Sequence, residues 1–227
     1  MKAMILAAGR GERMRPLTDH TPKPLLLAAG KALIEHTIEQ LVSAGFNDII
    51  INHAHLGAKI EDRLGSGNQF GANICYSPEG GQALETAGGI INALHLLGDE
   101  VFLVVNGDIA TDFPFAELKN QPVDLAHLIL VDNPVHHPEG DFGLDNSGLV
   151  VTDAVERFTF SGIGLYRPEL FHDIPAGPSK LGPLLRQSIA GGRVSGQKMD
   201  GFWMDIGTPE RLQELDSYYS AVRKTER

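Results

Sequence analysis

The chain has 227 residues, 42% of them hydrophobic and 21% charged, with a formal net charge of -10. That length suits one large α/β domain spanning 1–227 with a well-buried core, and the acidic balance argues against a non-specific grip on nucleic acid or an anionic membrane. One cysteine, Cys75, excludes an intramolecular disulfide and, in the strand-like run NICYS, reads as an inert buried thiol. The opening segment turns quickly to glycine and charge, and no later apolar run is long enough to cross a bilayer, so the sequence reads as cytoplasmic.

Apolar runs of strand length alternate with segments of helical period, the pattern of a mainly parallel sheet covered by helices on both faces. KAMIL (2–6) is the first strand. ALIEHTIEQLVSAG (32–45) repeats apolar residues at helical spacing and stops at Gly45, and DIIIN (48–52) follows as a strand. A helix over 56–64, the strand NICYS (73–77), the helix TAGGIINALHLLG (86–98) and the very apolar strand VFLVVN (101–106) complete a three-layer nucleotide-binding half. Beyond Asp108 the order is less regular: VDLAHLILV (123–131), the loop DNPVHHPEGDFG (132–143), the turn DNSG (145–148) and the strand RFTFSGIGLY (157–166). This half is expected to shape the pocket of a second substrate. Helices LGPLLRQSIAGG (181–192) and TPERLQELDSYYSAV (208–222) follow, and no repeat or low-complexity tract interrupts the pattern.

LAAGRGERMRPLTDHTPKPLL (6–26) lies between the first strand and the first helix. A strand entering a glycine-rich turn delivers backbone N–H groups to the carboxyl edge of the sheet, where anions collect, and Gly9 and Gly11 fit that role. A dinucleotide fingerprint needs a third glycine where Met14 stands, and the Gly-Lys-Ser/Thr of a P-loop is absent. That disfavours both loops, and with them an NAD-dependent oxidoreductase. Arg10, Arg13, Arg15 and Lys23 form a dense cationic patch in an acidic chain, stiffened by Pro16, Pro22 and Pro24. Such a patch suits a nucleoside triphosphate.

VVNGDI sets Asn106 and Asp108 at the end of the apolar strand, while GFWMDIGTPERL sets Asp205 between a strand and a helix, so both aspartates can reach one cleft. Hard carboxylate oxygens hold Mg²⁺, which relieves repulsion when two polyanions meet. Each aspartate alone serves a turn or loop equally well. Thr208, Pro209 and Glu210 supply a helix cap, a first helical proline and a first-turn acid without any chemistry. Trp203 reads as packed beside this loop, and His136 and His137, being adjacent, as rim residues pointing apart. SPEGGQALETAGGI (77–90) passes from strand through a glycine-rich loop into a helix. Its main-chain groups can read a base edge, and Gln82 both donates and accepts, as uracil requires. Thr86 serves equally as a helix cap.

Taken together, LAAGRGERMRPLT followed by PKPL resembles the signature of the sugar-nucleotidyltransferases (nucleotide-sugar pyrophosphorylases), and the resemblance spans almost the whole chain. It implies a glycosyltransferase-A-like nucleotidyltransferase fold, an α/β three-layer Rossmann-like mixed sheet. It also implies Mg²⁺-dependent transfer of a nucleotidyl group from UTP to a sugar 1-phosphate. On this resemblance Ala8, Gly9 and Gly11 wrap the nucleotide, with Gln82, Thr86, Gly88 and Asn106 also nucleotide-binding. Arg13 holds the pyrophosphate and Lys23 neutralises charge at the reacting phosphates. Asp108 and Asp205 ligate the metal, and Asp141 and Gly143 contact the sugar.

Three departures stand out. Glu12 replaces the family's Thr or Ser, Glu85 replaces the glycine of Leu-Gly-Thr-Ala-Gly, and the Glu-Lys-Pro element is missing, only LVVTDAVER separating Gly148 from FTFSGIG. A shortened sugar side implies a roomier pocket. The pattern GDFG, FSGIGLYRPELF and GPLLRQSI resembles members that take N-acetylmuramate 1-phosphate in bacterial cell-wall recycling. Mannose 1-phosphate with GTP, and glucose 1-phosphate with UTP or dTTP, remain open alternatives. So do a non-catalytic nucleotide-sensing subunit and assembly into a homo-oligomer.

Overall fold

The computed structural model describes residues 1–80 and 84–225, with side chains through Val222. Strand β1 (Ala3–Leu6) leads through the glycine- and proline-rich loop into a short hairpin, β2 (Leu27–Ala28) and β3 (Lys31–Ala32), and helix α1 (Leu33–Ser43). There follow β4 (Asp48–His53), α2 (Gly57–Leu64), β5 (Asn73–Pro78), α3 (Glu85–Leu97), β6 (Phe102–Asn106), β7 (Ile109–Thr111) and β8 (Ala126–Val131). A second hairpin, β9 (Gly143–Leu144) with β10 (Val150–Val151), precedes β11 (Thr159–Tyr166), α4 (Leu181–Ala190), β12 (Val194–Lys198), β13 (Trp203–Asp205) and α5 (Pro209–Thr225).

Among the described residues the main sheet has seven strands in the order β12-β8-β11-β6-β1-β4-β5. β11 pairs antiparallel with β6 and β8, and the remaining pairings are parallel, which is the mixed, mainly parallel α/β sheet expected. Successive side chains of a strand face opposite sides, and β1 uses both. Ala3 and Ile5 enter a core with Ile34, Ile38 and Leu41 of α1 and Ile60 and Leu64 of α2. Met4 faces the other core, with Ile90 and Leu97 of α3 and Leu185 and Ile189 of α4. Every apolar residue of β6 is buried, which is why that strand reads as continuously hydrophobic. A third cluster, Met14, Leu26, Ile206 and Leu215, ties the N-terminal loop to α5.

Two sequence expectations change. Cys75 is exposed, because β5 is the edge strand and its alternation turns Ile74 inward and Cys75 outward. Thr86 does not cap α3, which begins one residue earlier after Leu84, with no side-chain cap; the N–H groups of Ala87 and Gly88 donate to Ser179 O instead. β12 (VSGQK) was not foreseen. Its composition is polar, and pairing with β8 rather than propensity makes it a strand.

Candidate active site

The carboxyl ends of β1, β4, β5 and β6 open onto a cavity of about 550 Å³ beside the central strand. Its wall includes Ala8, Gly9, Gly11, Arg13, Lys23, Thr86, Asn106 and Asp108, so most of the residues singled out from sequence meet in one place. The loop is held from below. Gly11 has φ 66°, and its carbonyl accepts hydrogen bonds from Met14 N at 2.9 Å and Thr18 Oγ1 at 2.8 Å. A Cβ there would stand 3.0 Å from Thr18 Cγ2 and 3.1 Å from Lys23 Cβ, so a side chain would both strain the backbone and crowd the lysine. Met14, 1% exposed, drops into the third core. Where a dinucleotide loop needs glycine, this loop needs an anchor that fixes the turn presenting Arg13.

Lys23 begins a tight turn between Pro22 and Pro24, and its ammonium donates to Asp108 Oδ2 at 2.5 Å with only 10% of the side chain exposed. Arg15 is drawn away to Asp19 in an exposed pair at 3.0 Å, and Glu12 is exposed at the cavity wall. β7 and β13 pair antiparallel with Ile109 opposite Asp205, and Ile206 N donates to Asp108 O at 2.7 Å. Asp108, in the turn just before β7, and Asp205, at the end of β13, therefore lie next to each other, with Asp108 in the cavity wall and Asp205 just outside it. The Asp205 carboxylate accepts a short hydrogen bond from Arg211 Nη1 and stands 3.0 Å from His136 Nε2. Trp203 lies beside it, partly buried, its Nε1 donating to Ser161 O at 2.9 Å. Oxygen-only donors from two carboxylates, each already balanced by a basic side chain, suit a hard divalent cation that keeps most of its water or phosphate ligands.

Other expected residues lie elsewhere. Gly88 packs beneath the 177–179 loop, where a Cβ would meet Gly177 O at 2.3 Å, and is away from the cavity wall. Gly143 is covered by the 154–156 segment, where a Cβ would lie 2.3 Å from Ala154 Cβ. Asp141 faces protein: its Oδ2 accepts from Phe160 N at 2.8 Å, and His137 Nε2 lies 3.3 Å from its Oδ1. Because Ile163 of β11 pairs with Val105, the start of β11, whose Phe160 N–H holds Asp141, runs past the Asn106 end of β6, but Asp141 itself is not part of the cavity wall. Gln82 lies outside the described residues.

Asn52, Glu79 and Arg211 were missed. Buried Asn52 accepts from Ala7 N at 2.8 Å and donates to Glu79 Oε1 at 2.6 Å, and Glu79 Oε2 accepts from Leu84 N at 2.9 Å. These two side chains brace the glycine-rich loop after β1 against the segment that enters α3. Polar residues ending buried parallel strands were the available signal.

Residues 2–222 match the nucleotidyl transferase family, and the chain belongs to it. It is an enzyme of the sugar-nucleotidyltransferase class. It is 55% identical to N-acetylmuramate alpha-1-phosphate uridylyltransferase from Neisseria meningitidis, over 97% of this chain and 99% of that protein. The protein of the same name from Caulobacter vibrioides is 37% identical over 92% of each. Among solved structures, HddC from Yersinia pseudotuberculosis has the same fold, with a TM-score of 0.81 at 22% identity over 96% of this chain and 99% of that one.

Proposed function

We propose that this chain, read as one catalytic domain, joins UTP to N-acetylmuramate 1-phosphate, releasing pyrophosphate and forming the UDP-sugar. A sugar-phosphate oxygen attacks the α-phosphorus in line, and the bond from that phosphorus to the bridging oxygen breaks, leaving as pyrophosphate. The nucleophile is already anionic, so positioning and charge neutralisation outweigh any general base. Mg²⁺, bound through Asp108 and Asp205, would supply Lewis-acid polarisation of the phosphate oxygens. The backbone of Ala8, Gly9 and Gly11 wraps the triphosphate, Arg13 takes the departing pyrophosphate and Lys23 meets charge at the reacting phosphates. Thr86 and Asn106 line the nucleoside side, Gln82 reads the base, and Asp141 helps shape the sugar side.

The observation that carries the reading is the full-length likeness to the Neisseria protein. The cavity at the ends of the parallel strands supplies chemistry that agrees with it. A panel of four nucleoside triphosphates against N-acetylmuramate, glucose and mannose 1-phosphates, read by pyrophosphate release, tests it. UTP with N-acetylmuramate 1-phosphate should be the fastest pair. Fastest turnover with another pair would overturn the substrate choice, and no release with any pair would favour a nucleotide sensor.

A further inference from the structure

Arg211 carries the strongest unassigned geometry near the cavity. It lies in the first turn of α5 with 17% of its side chain exposed, and its Nη1 both donates to Asp205 Oδ1 and stands 3.0 Å from His136 Nε2. Its other terminal nitrogen lies over Gly207, where an Arg13 nitrogen also comes close. A Cβ on Gly207 would lie 2.6 Å from Arg211 Nη2 and 3.2 Å from Arg13 Nη2, so only a residue without a side chain lets both guanidinium groups close on this turn. Gly207 and Arg13 both line the cavity.

A guanidinium does not give up its proton in a protein. Two of them converging on one turn repel each other unless anionic charge is shared between them. The Asp205 carboxylate supplies that charge for Arg211. If a divalent cation takes the same carboxylate, Arg211 loses its counter-charge while remaining beside Arg13, and the planar fork of each is suited to two phosphate oxygens. A similar arrangement holds at the other aspartate, where Lys23 sits on Asp108 at 2.5 Å.

We propose that Arg211 is an exchange cation, which neutralises Asp205 before metal arrives and turns with Arg13 onto the pyrophosphate portion of the nucleotide once metal holds Asp205. The inference rests on Asp205 being a metal ligand. Metal and polyphosphate then bind cooperatively through Arg211, and the coupling is the same whichever ligand binds first. Without metal, Asp205 competes with the anion for the arginine. Without the arginine, the carboxylate is open to metal but the two ligands no longer assist each other through it.

The test uses the full chain with Mn²⁺ and inorganic pyrophosphate as probes. Mn²⁺ binding is followed by the spin-resonance signal of the free ion and pyrophosphate binding by calorimetry, with the complex the two form in solution subtracted. Wild type, Arg211→Met, Arg211→Lys and Asp205→Asn are compared after confirming equal thermal midpoints. In wild type, Mn²⁺ should tighten pyrophosphate binding about 10-fold or more, within the usual range of coupling between sites. Arg211→Met should bind Mn²⁺ alone more tightly and lose most of that coupling, while Arg211→Lys, which keeps the charge without the fork, should retain part of it. Wild-type coupling in Arg211→Met, or weaker binding of Mn²⁺ alone, would mean that Arg211 only braces Asp205 and would overturn the exchange. If Asp205→Asn binds Mn²⁺ as wild type does, the metal assignment fails first and the exchange falls with it.

Discussion

At the cavity, the backbone ends of parallel strands do most of the placing: Asn52 pins the Ala7 N–H, Met14 fixes the Arg13 turn from the third core, and Lys23 is held between two prolines. On the flank that carries Asp141, side chains on a loop do it instead. Asn133 donates to Pro138 O and Arg157 O and accepts from Thr159 Oγ1, Arg157 Nη2 donates to Asp141 O at 2.6 Å, and Val135 and Val155 stand fully exposed on the neighbouring tips. A framework of strand ends fixes atoms relative to the sheet, whereas a loop held by a few hydrogen bonds can be reshaped without disturbing the sheet. The contrast predicts that turnover and sugar choice are separable.

The largest effect should come from the two carboxylates proposed to hold the metal. Asp108→Asn and Asp205→Asn are each expected to lower kcat/KM on the order of 10²–10³-fold with every sugar tested, the scale of losing one electrostatic contact to the transition state. Folding should persist, since neither group is part of an apolar core. Near-normal Mg²⁺-dependent turnover in both variants would break the assignment. Lys23→Ala should follow, lowering kcat about 10²-fold and equally for all sugars, with a smaller change in KM for UTP. If only KM rises, the lysine serves ground-state binding instead.

Asp141→Asn should behave oppositely. It keeps the shape of the side chain but removes the charge shared with His137, so it should change the ratio of efficiencies between sugars by roughly 10-fold or less while leaving KM for UTP in place. An equal loss for every sugar would move Asp141 to the transfer machinery.

The smallest effect concerns pH and stability. His127, on β8 against β12, is buried, which lowers its pKa despite a partly opposing hydrogen bond that its ring donates to Gln197 Oε1; Ser195 and Gln121 also face its ring. The unfolded chain therefore binds a proton on this histidine at a pH where the folded chain does not, and stability should fall as pH drops below about 6.5, the ordinary histidine value. Glu35, in the first turn of α1, behaves differently. Burial raises its pKa, but the Arg63 guanidinium and the Ala32 N–H outweigh that and leave it below the usual carboxylate value, so its contribution is lost only as pH falls through the lowered folded value. Denaturant midpoints between pH 7 and 5 should decline in wild type and flatten in His127→Gln. An equally steep decline in the variant would remove His127 as the cause.

The cavity wall was legible in the sequence because its devices are local. Glycine, proline and arginine stand close together within 6–26, and strands such as VFLVVN announce their own burial. Gly207 was visible only as part of a helix-starting motif, because its neighbours Arg13 and Arg211 come from opposite ends of the chain. The same is true of Asn52, whose partners Ala7 and Glu79 belong to other segments. The protein neighbours of the remaining glycines were read least well. A glycine's type says that backbone comes close, but only the fold says whether the approaching group is a ligand or, as at Gly88 and Gly143, another loop. His136 and His137 did point apart as adjacent residues should, one toward Asp205 and one toward Asp141, yet nothing in their spacing named those partners.

The separation of turnover from sugar choice is tested most directly by one ratio, kcat/KM with UTP for N-acetylmuramate 1-phosphate over glucose 1-phosphate, measured side by side in wild type, Lys23→Ala and Asp141→Asn. The account predicts a ratio of at least ~10 in wild type, the scale one modest pocket contact can supply, the same ratio in Lys23→Ala despite its lower turnover, and a shifted ratio in Asp141→Asn. A wild-type ratio of one or below, or a ratio that moves with Lys23 and not with Asp141, would contradict it.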